Sequence, residues 1–312
     1  MQALYLSSLE PVAECASDPN SYGFRQGRST HDARAQLFVS LSKRSSAGWV
    51  LDADISGFFD NINHDWLLRN VHMDKRTLNK WLKAGVVHNG QLQRTDTGTP
   101  QGGVISPTLA NITLNGLEEG LHAHIRAVLG PTKASAVKVN LVRYADDFVV
   151  TGASQELLET VVKPWIIGFL RERGLVLSEE KTRIVHIDEG FDFLGWNFRK
   201  YGGKMLIKPS RKNVSAFYSK VAQEIKASLS LPTAALIGKL NPVLRGWARY
   251  HDGVVAKETF SKLDHQIYWR LMRWGRRRHP RKTQGWIYDH YWISEGNRRD
   301  FHGTKHNETG EP

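Results

Sequence analysis

The chain has few of the features that mark secreted and membrane-spanning proteins. It contains one cysteine, Cys15, which excludes internal disulfides and any zinc module built on paired cysteines. No apolar run approaches the roughly 18 residues needed to cross a bilayer. The first residues lack the basic leader and the long apolar stretch of a secretory signal. These absences predict a cytoplasmic protein that does not act in a membrane.

The sequence also shows no internal repeat and no low-complexity tract. Its 312 residues are 40% hydrophobic and 24% charged, which is typical of a globular protein. This length predicts about two domains and a sizeable hydrophobic core.

Positive charge is concentrated in one region of the chain. The net charge is +12, but residues 199–282 hold 20 Lys and Arg against 4 Asp and Glu, so the remaining 228 residues carry a net −4. Aromatic residues alternate with these basic ones: Tyr218, Trp247, Tyr250, Trp269 and Trp274. This combination suits the phosphates and bases of a nucleic acid, although a solvated basic surface has a similar composition. We favour a nucleic-acid partner.

Two segments predict strands that carry acids. Residues 49–55 alternate, which places Asp52 and Asp54 on the face opposite the larger apolar side chains and predicts a half-buried strand with an open acidic face. Residues 141–144 and 148–151 are apolar runs separated by Ala145, Asp146 and Asp147. This pattern predicts a β-hairpin with acids at its tip.

Helical patterns occur on both sides of these strands. We predict an N-terminal amphipathic helix, a helix capped by Ser106 that extends to Leu117, and one capped by Ser210. A further helix is expected at residues 257–278, with Pro232 and Pro242 punctuating the chain before it. Residues 297–312 are polar and predict a frayed tail.

A strand Asp beside an Asp-Asp hairpin tip provides the ligands for two-metal phosphoryl transfer. That chemistry needs carboxylates that hold two Mg²⁺ ions about 3.5–4 Å apart. However, an Asp-Asp pair in a turn is also ordinary turn chemistry. Spacing alone leaves both interpretations open.

Seven segments, in this order along the chain, resemble the motifs of group II intron reverse transcriptases. They include the region that joins fingers and palm, the first metal motif, the nucleotide-binding segment, the YxDD box, a lysine motif, the primer-grip hairpin and the maturase domain. The segments are SYGFRQGRSTHDA (21–33), DADISGFFDNINH (52–64), TPQGGVISPTLANITLNGLE (99–118), RYADDFVV (143–150), GLVLSEEKTRIVH (174–186), FDFLGWNF (191–198) and NPVLRGWARYH (241–251).

The resemblance assigns three metal ligands and one catalytic cation. Asp54, Asp146 and Asp147 would hold two Mg²⁺ ions, while Asp52 would be a solvated neighbour. Lys181 would assist pyrophosphate departure as a general acid or as a positive charge; an exposed strand lysine is the equal alternative.

The resemblance also assigns substrate contacts. Phe59 would be the steric gate that excludes a 2′-hydroxyl, with Phe58 in the core. The other predicted substrate-binding residues are Tyr144, Gln101, Gly102, Arg25 and Arg28. The two arginines are expected to hold template or nucleotide phosphates, although Gln26 replaces the family's usual proline.

Nucleic-acid contacts are expected from the primer grip and from the basic region. The predicted residues are Phe193, Leu194, Gly195, Lys208, Arg211, Lys212, Arg245, Arg249, Arg270, Arg273 and Arg277.

The implied fold class is α+β, a right-hand polymerase palm with an antiparallel sheet backed by helices, followed by an all-helical thumb or maturase domain. We expect a remnant of the fingers–palm junction at 1–48, the palm at 49–198, the basic thumb at 199–282 and an extension at 283–312. The family's N-terminal fingers and an endonuclease domain are expected to be missing.

The implied function is that of a reverse transcriptase, an RNA-directed DNA polymerase, coupled to intron RNA binding and splicing assistance. Its expected partners are group II intron RNA, a DNA primer or target and deoxynucleotides; a homodimer is left open. A non-catalytic RNA-binding maturase fragment is the main alternative. An RNA-dependent RNA polymerase is a third interpretation, which Phe59 disfavours because such an enzyme must accept the 2′-hydroxyl.

Overall fold

The computed structural model of the chain describes residues 1–88, 91–93, 97–99, 103–296 and 298–302. They divide into two units. Unit 1 contains Met1–Leu194 and Phe198–Met205, and unit 2 contains Gly195–Asn197 with the described residues from Leu206 onward. Residues 1–48 belong to unit 1, and the described residues after 282 belong to unit 2.

Unit 1 combines short helices with a central sheet. Its helices are α1 (Gln2–Cys15), α2 (Thr30–Leu41), α3 (Phe58–Asn61), α4 (His64–Asn70), α5 (Lys75–Leu82), α6 (Ser106–Leu114), α7 (Leu117–Leu129), α8 (Pro131–Ala136), α9 (Gln155–Leu157), a π-helical turn (Leu158–Val162) and α10 (Lys163–Arg171). Its strands are β1 (Trp49–Asp54), β2 (Val86–His88), β3 (Gln91–Gln93), β4 (Leu141–Tyr144), β5 (Asp147–Gly152), β6 (Arg183–His186) and β7 (Phe191–Phe193).

The remaining elements begin at the boundary between the units. Strands β8 (Trp196–Tyr201) and β9 (Lys204–Pro209) form a three-stranded sheet with β7. Unit 2 continues with α11 (Arg211–Ala227), α12 (Thr233–Tyr250), α13 (Lys257–Arg278), α14 (Gln284–Tyr291), β10 (Trp292–Glu295) and β11 (Arg298–Phe301).

The main sheet of unit 1 has the strand order β4-β5-β1-β6, with antiparallel pairing throughout. The alternation of β1 explains its position, because Leu51 and Ala53 enter the hydrophobic core on one face with Phe148 of β5. The sequence had predicted that the opposite face is open. It is not open throughout, because Val50 is fully buried there. Both predicted strands and the hairpin between residues 141 and 151 are confirmed.

Helix α6 begins one residue earlier, and ends earlier, than the pattern indicates. Ile105 occupies the N-cap position and Ser106 is the first helical residue, followed by the predicted proline. Asn115 is extended and Gly116 has a φ of 84°, so the chain turns before Leu117 starts α7. Leu117 therefore belongs to the next helix.

The N-terminal helix α1 forms as predicted and buries only part of its apolar surface. Leu9 lies in the core of unit 1, whereas Leu4 is 72% exposed. Pro11 lies inside this helix.

In unit 2 the two predicted long helices are confirmed. Ser210 caps α11 by accepting a hydrogen bond from the Asn213 backbone N–H, and α13 spans the predicted residues. Pro242 lies inside α12 rather than ending it. Burial of Leu236 and Leu240 on the same helix compensates for the hydrogen bond that the proline cannot donate.

The predicted helical domain is confirmed, with α11, α12 and α13 inside residues 199–282. After α14, strands β10 and β11 pair in an antiparallel hairpin. This hairpin occupies part of the predicted frayed tail, and Trp292 and Phe301 pack with the hydrophobic core of the unit. None of the helices that the structure describes combines the length and the hydropathy required to cross a membrane.

Candidate active site

Three carboxylates meet at one end of the main sheet. Asp54 is the last residue of β1, and Asp147 opens β5 directly opposite it in the antiparallel register. Cross-strand partners lie about 4.5–5.5 Å apart between their Cα atoms. Asp146 precedes Asp147 at the hairpin tip, where Ala145 adopts a φ of 58°. The fold therefore brings together residues that are far apart in the sequence.

Burial and mutual repulsion disfavour ionisation of this cluster. Burial raises the pKa of Asp147 to about 7, and the neighbouring charges of Asp52, Asp54 and Asp146 add to that increase. The pKa of Asp146 is also raised, chiefly by burial and further by Asp54. A bound cation would therefore stabilise the ionised form of these carboxylates.

Lys181 supplies one positive charge at the site. Its Nζ lies 2.9 Å from Oδ2 of Asp54, and the lysine side chain is 66% exposed. The hydrogen bond to Asp54 raises the pKa of Lys181, so the amine stays protonated. Lys181 lies in the turn before β6 rather than in a strand.

Asp52 lies near this group but forms an ion pair of its own with Arg183. The Nε of Arg183 donates to Oδ2 of Asp52 over 3.1 Å, and the Asp52 side chain is only 13% exposed. Burial raises its pKa despite that bond. Asp52 is therefore a partly buried, paired carboxylate rather than the solvated neighbour that the sequence had predicted.

The three carboxylates share a location but do not form a preassembled metal cage. Across the described part of the chain, no group of three or more His, Cys, Asp and Glu side chains could hold a metal ion as arranged. The physical reason is visible in the site, since like charges repel each other and Lys181 pairs with Asp54. The donor set itself consists of hard carboxylate oxygens, which suit Mg²⁺.

Phe59 lies in the cleft beside the acids. The cleft is lined by Asp54, Ile55, Ser56, Gly57, Phe58, Phe59, Asp60, Asp146, Ser178, Glu180 and Lys181. Phe58 is 3% exposed and packs in the core, whereas Phe59 is only partly buried. The backbone of Phe59 is fixed by a 2.7 Å hydrogen bond from the Thr99 N–H to its carbonyl. Gln101 and Gly102 lie outside the described residues.

The arginines expected to bind phosphates differ in their surroundings. Arg25 is buried, and its guanidinium donates to both carboxylate oxygens of Glu14 and to the carbonyls of Asp18 and Ser21. These contacts occupy the guanidinium groups that a phosphate would need, and the expected phosphate contact of Arg25 stays a prediction. Arg28 is partly exposed and donates to the Pro19 carbonyl.

Arg143 is a buried residue of the site that the sequence reasoning overlooked. It is fully buried, and its Nη1 donates to Asn111 Oδ1 and to the carbonyl of Ala145, each over 3.3 Å. Burial lowers its pKa to about 10. An arginine between apolar strand residues, directly before Tyr144, was the available signal. Tyr144 is half-buried and pairs with Asp147 in the hairpin.

The predicted primer-grip residues form a tight turn. Leu194 and Gly195 have φ values of 49° and 82°. Phe193 is 2% exposed, so its ring packs in the protein interior, and the nucleic-acid contact expected of this residue stays a prediction. In unit 2 the Gly195 carbonyl accepts a 3.0 Å hydrogen bond from the Ser210 N–H.

The basic residues expected to bind nucleic acid lie mostly on the surface of unit 2. Arg211, Lys212, Arg245, Arg249, Arg273 and Arg277 are exposed, and Lys208 and Arg270 are partly exposed. Arg270 stacks over the ring of Tyr218 at 5.5 Å and donates to its hydroxyl over 2.9 Å. Arg270, Arg273 and Arg277 line one cleft together with Lys226 and Trp274. Because the Trp274 ring is only 2% exposed, the cleft offers four cations but no open ring, which suits an anionic ligand.

The comparisons with known proteins agree with this geometry. The family model described as reverse transcriptase (RNA-dependent DNA polymerase) matches residues 1–198. The chain therefore belongs to the reverse transcriptase family. A second model, the group II intron maturase-specific domain, matches residues 214–292, so the type is that of the group II intron enzymes. Unit 1 then corresponds to the palm, and unit 2 contains the maturase domain.

Two curated relatives and one solved structure that are similar to this chain illustrate the range of identity and coverage. Protein YkfC of Escherichia coli (strain K12) is 31% identical over 274 residues, which cover 77% of this chain and 69% of YkfC. Group II intron-encoded protein LtrA of Lactococcus lactis subsp. cremoris is 29% identical, covering 61% of this chain and 41% of LtrA. Apo telomerase from Candida tropicalis is similar at 14% identity and a TM-score of 0.47, covering 88% of this chain and 53% of that chain.

Proposed function

We propose that this chain is an Mg²⁺-dependent RNA-directed DNA polymerase that also binds group II intron RNA and assists its splicing. The observation that carries the proposal is the meeting of Asp54, Asp146 and Asp147 at one end of the main sheet. The raised pKa of Asp147 supports it, because repulsion among these acids is relieved by bound cations.

In this proposal the three aspartates hold two Mg²⁺ ions. When bound, the ions activate the attacking oxygen of the primer and stabilise the leaving oxygen. Lys181 is 66% exposed, and in this proposal it leaves Asp54 to face the departing pyrophosphate, where it donates a proton or supplies positive charge. Its raised pKa keeps that proton available at neutral pH.

Phe59 is the proposed steric gate for the sugar. It lines the cleft that contains Asp54 and Asp146, while Phe58 lies in the core. A ring at that place leaves no room for a 2′-hydroxyl, so deoxynucleotides are selected by steric exclusion.

The RNA partner is proposed to bind through the surface of unit 2. Its exposed arginines and lysines would neutralise phosphates, and the aromatic residues among them would stack on bases. The expected ligands are intron RNA as template, a DNA primer and deoxynucleotides.

Primer extension tests the polymerase directly. The full chain is incubated with an oligo(dT) primer on poly(rA), dTTP and Mg²⁺, and a parallel sample contains EDTA. We expect extension that requires Mg²⁺. The matched control is Asp188→Asn, which changes an exposed carboxylate of the same unit and should extend normally.

Phe59→Val tests the gate. The smaller side chain should admit ribonucleotides, so the ratio of kcat/KM for dTTP to that for UTP should fall by at least about tenfold. Phe38→Val, which shortens a half-exposed ring on α2, is the matched control. An unchanged ratio in Phe59→Val would place the gate elsewhere.

A non-catalytic RNA-binding maturase is the second candidate. The observation that favours it is the absence, among the described residues, of a side-chain group arranged to hold a metal ion. The second function is the correct one if the chain binds intron RNA tightly, with an affinity that falls as the salt concentration rises, and yet extends no primer in Mg²⁺.

A further inference from the structure

Residues 20–25, here called the docked segment, run beside the strand that leads to the catalytic turn. The Arg143 N–H donates to the Asn20 carbonyl, and the Tyr22 N–H donates to the Arg143 carbonyl, each over 2.9 Å. Ser21 forms a parallel bridge with Arg143. The segment therefore behaves as a short additional strand on β4.

Gly23 brings the docked segment against the turn itself. A Cβ at this position would lie 2.3 Å from the Ala145 backbone nitrogen, a distance that no real side chain allows. The Asn111 side chain donates to the Gly23 carbonyl over 2.9 Å. The backbone at Gly23 is thus in close contact with the residue that precedes Asp146.

Arg25 fixes the other end of the docked segment. Its four hydrogen bonds to Glu14, Asp18 and Ser21 are made by a side chain that is only 4% exposed. Phe24 therefore lies between two immobilised residues, and its conformation is imposed by them.

Phe24 is unusual both in its backbone and in its exposure. Its φ is 58°, in the left-handed region that is strained for a residue other than glycine. Its side chain is 48% exposed, so the strained conformation does not serve to bury the ring in the core. Strain that persists without such burial is most often associated with function.

The Phe24 ring instead meets Phe59. The two ring centroids lie 6.0 Å apart at 72°, an edge-to-face arrangement. Phe59 also meets the buried Phe58, with ring centroids 5.3 Å apart at 63°. Phe59 therefore contacts both a core ring and a surface ring, and the surface ring is anchored through Gly23 to the turn that carries Asp146.

We infer that Phe24 is a positioning residue that holds Phe59 in place and thereby sets sugar discrimination. The inference rests on the proposed role of Phe59 as the steric gate. Without the Phe24 ring, Phe59 loses one of its two aromatic contacts and can rotate away from the sugar. Selectivity then falls while the gate residue itself remains.

The kinetic test is the ratio of kcat/KM for dTTP to that for UTP. Edge-to-face pairs contribute about 0.5–1.5 kcal/mol, which corresponds to a fall of about twofold to tenfold in Phe24→Ala. Phe24→Tyr keeps the ring and should retain the wild-type ratio. Phe38→Ala removes a comparably exposed ring on α2 and should leave the ratio unchanged. A purely structural role for Phe24 would lower kcat for both nucleotides equally, and this outcome would overturn the inference.

A double-mutant cycle separates this inference from the proposed gate. If Phe24 acts through Phe59, Phe24→Ala should have no further effect on the ratio in the Phe59→Val background. Full additivity overturns the inference. If Phe59→Val alone leaves the ratio unchanged, the gate proposal fails first.

A spectroscopic measurement keeps the inference testable even if the chain extends no primer. A 4-fluorophenylalanine placed at position 59 reports on that ring by ¹⁹F NMR. We expect Phe24→Ala to shift or broaden its resonance, and Phe24→Tyr and Phe38→Ala to leave it in place. A resonance unaffected by Phe24→Ala would show that the rings are not coupled.

Discussion

The acidic end of the palm sheet and the basic surface of unit 2 handle charge in opposite ways. In the palm, like charges are partly buried and close together, so the pKa of Asp147 rises to about 7. In unit 2, arginines are exposed or stack on aromatic rings, as Arg270 does on Tyr218. A buried cluster of like charges needs counterions at defined positions, whereas an exposed surface can hold a polyanion in many registers. We therefore expect a single substitution among the acids to abolish activity, whereas each substitution on the surface of unit 2 should lower RNA affinity only in part.

The largest expected effect is the loss of polymerisation in Asp146→Asn. Removing one anionic ligand should cost several kcal/mol of transition-state stabilisation, or at least about a thousandfold in extension rate. RNA affinity, measured by filter binding, should stay near the wild-type value because the proposed RNA surface lies in unit 2. Extension at the wild-type rate would refute the assignment of this aspartate.

The second prediction concerns the number of charges on unit 2. In the full chain, Arg273→Ala combined with Arg277→Ala should weaken RNA binding at least about tenfold. It should also reduce the slope of log K against log salt by about one to two, since fewer counterions are released. The matched control removes Lys163 and Arg171, two basic residues of palm helix α10. An equal loss in that control would mean that net charge, rather than this cleft, determines binding.

The smallest expected effect is a gain in stability from removing a catalytic acid. The pKa of Asp147 is raised from 3.8 to about 7, so the folded state favours the protonated form. Its contribution to stability is complete below about pH 4 and is lost as the pH rises through about 7. Without metal, Asp147→Asn should therefore exceed the wild type by roughly 1–3 kcal/mol at pH 8 and match it near pH 4.

Urea unfolding in EDTA at both pH values measures this difference, with Asp188→Asn as the exposed control. Added Mg²⁺ should narrow the gap at pH 8, because the cation stabilises only the ionised cluster. A variant that is less stable than the wild type at pH 8 would show that burial of the ionised carboxylate, together with repulsion by its neighbours, is not what limits stability there.

The sequence predicted the strand and the hairpin that carry the acids of this site, but not the contacts of the buried residues around them. The alternating pattern gave β1, and the acids between two apolar runs gave the hairpin, since both signals depend on neighbouring residues. The role of Arg25 could not be predicted this way. Its partner Glu14 lies on α1, and whether an arginine binds a ligand or another side chain depends on how that helix docks.

Burial was the other quantity that the sequence did not provide. Phe193 stands in a motif that resembles a primer grip, yet its ring is 2% exposed. Pro242 was expected to interrupt the helices, yet α12 continues through it because its apolar face is buried. In both cases long-range packing outweighed a local signal.

By itself the sequence determined the division into an acidic to neutral part and a basic part, the acidic strand and hairpin, and the helices that begin after Ser210 and at Lys257. These features follow from composition and from periodicities of two and 3.6 residues, which are local. Only the tertiary structure decided that Asp54 faces Asp147, that Arg183 neutralises Asp52, and that Phe24 contacts Phe59. Those contacts join residues 35 to 131 positions apart, and their geometry depends on how strands, helices and loops pack together.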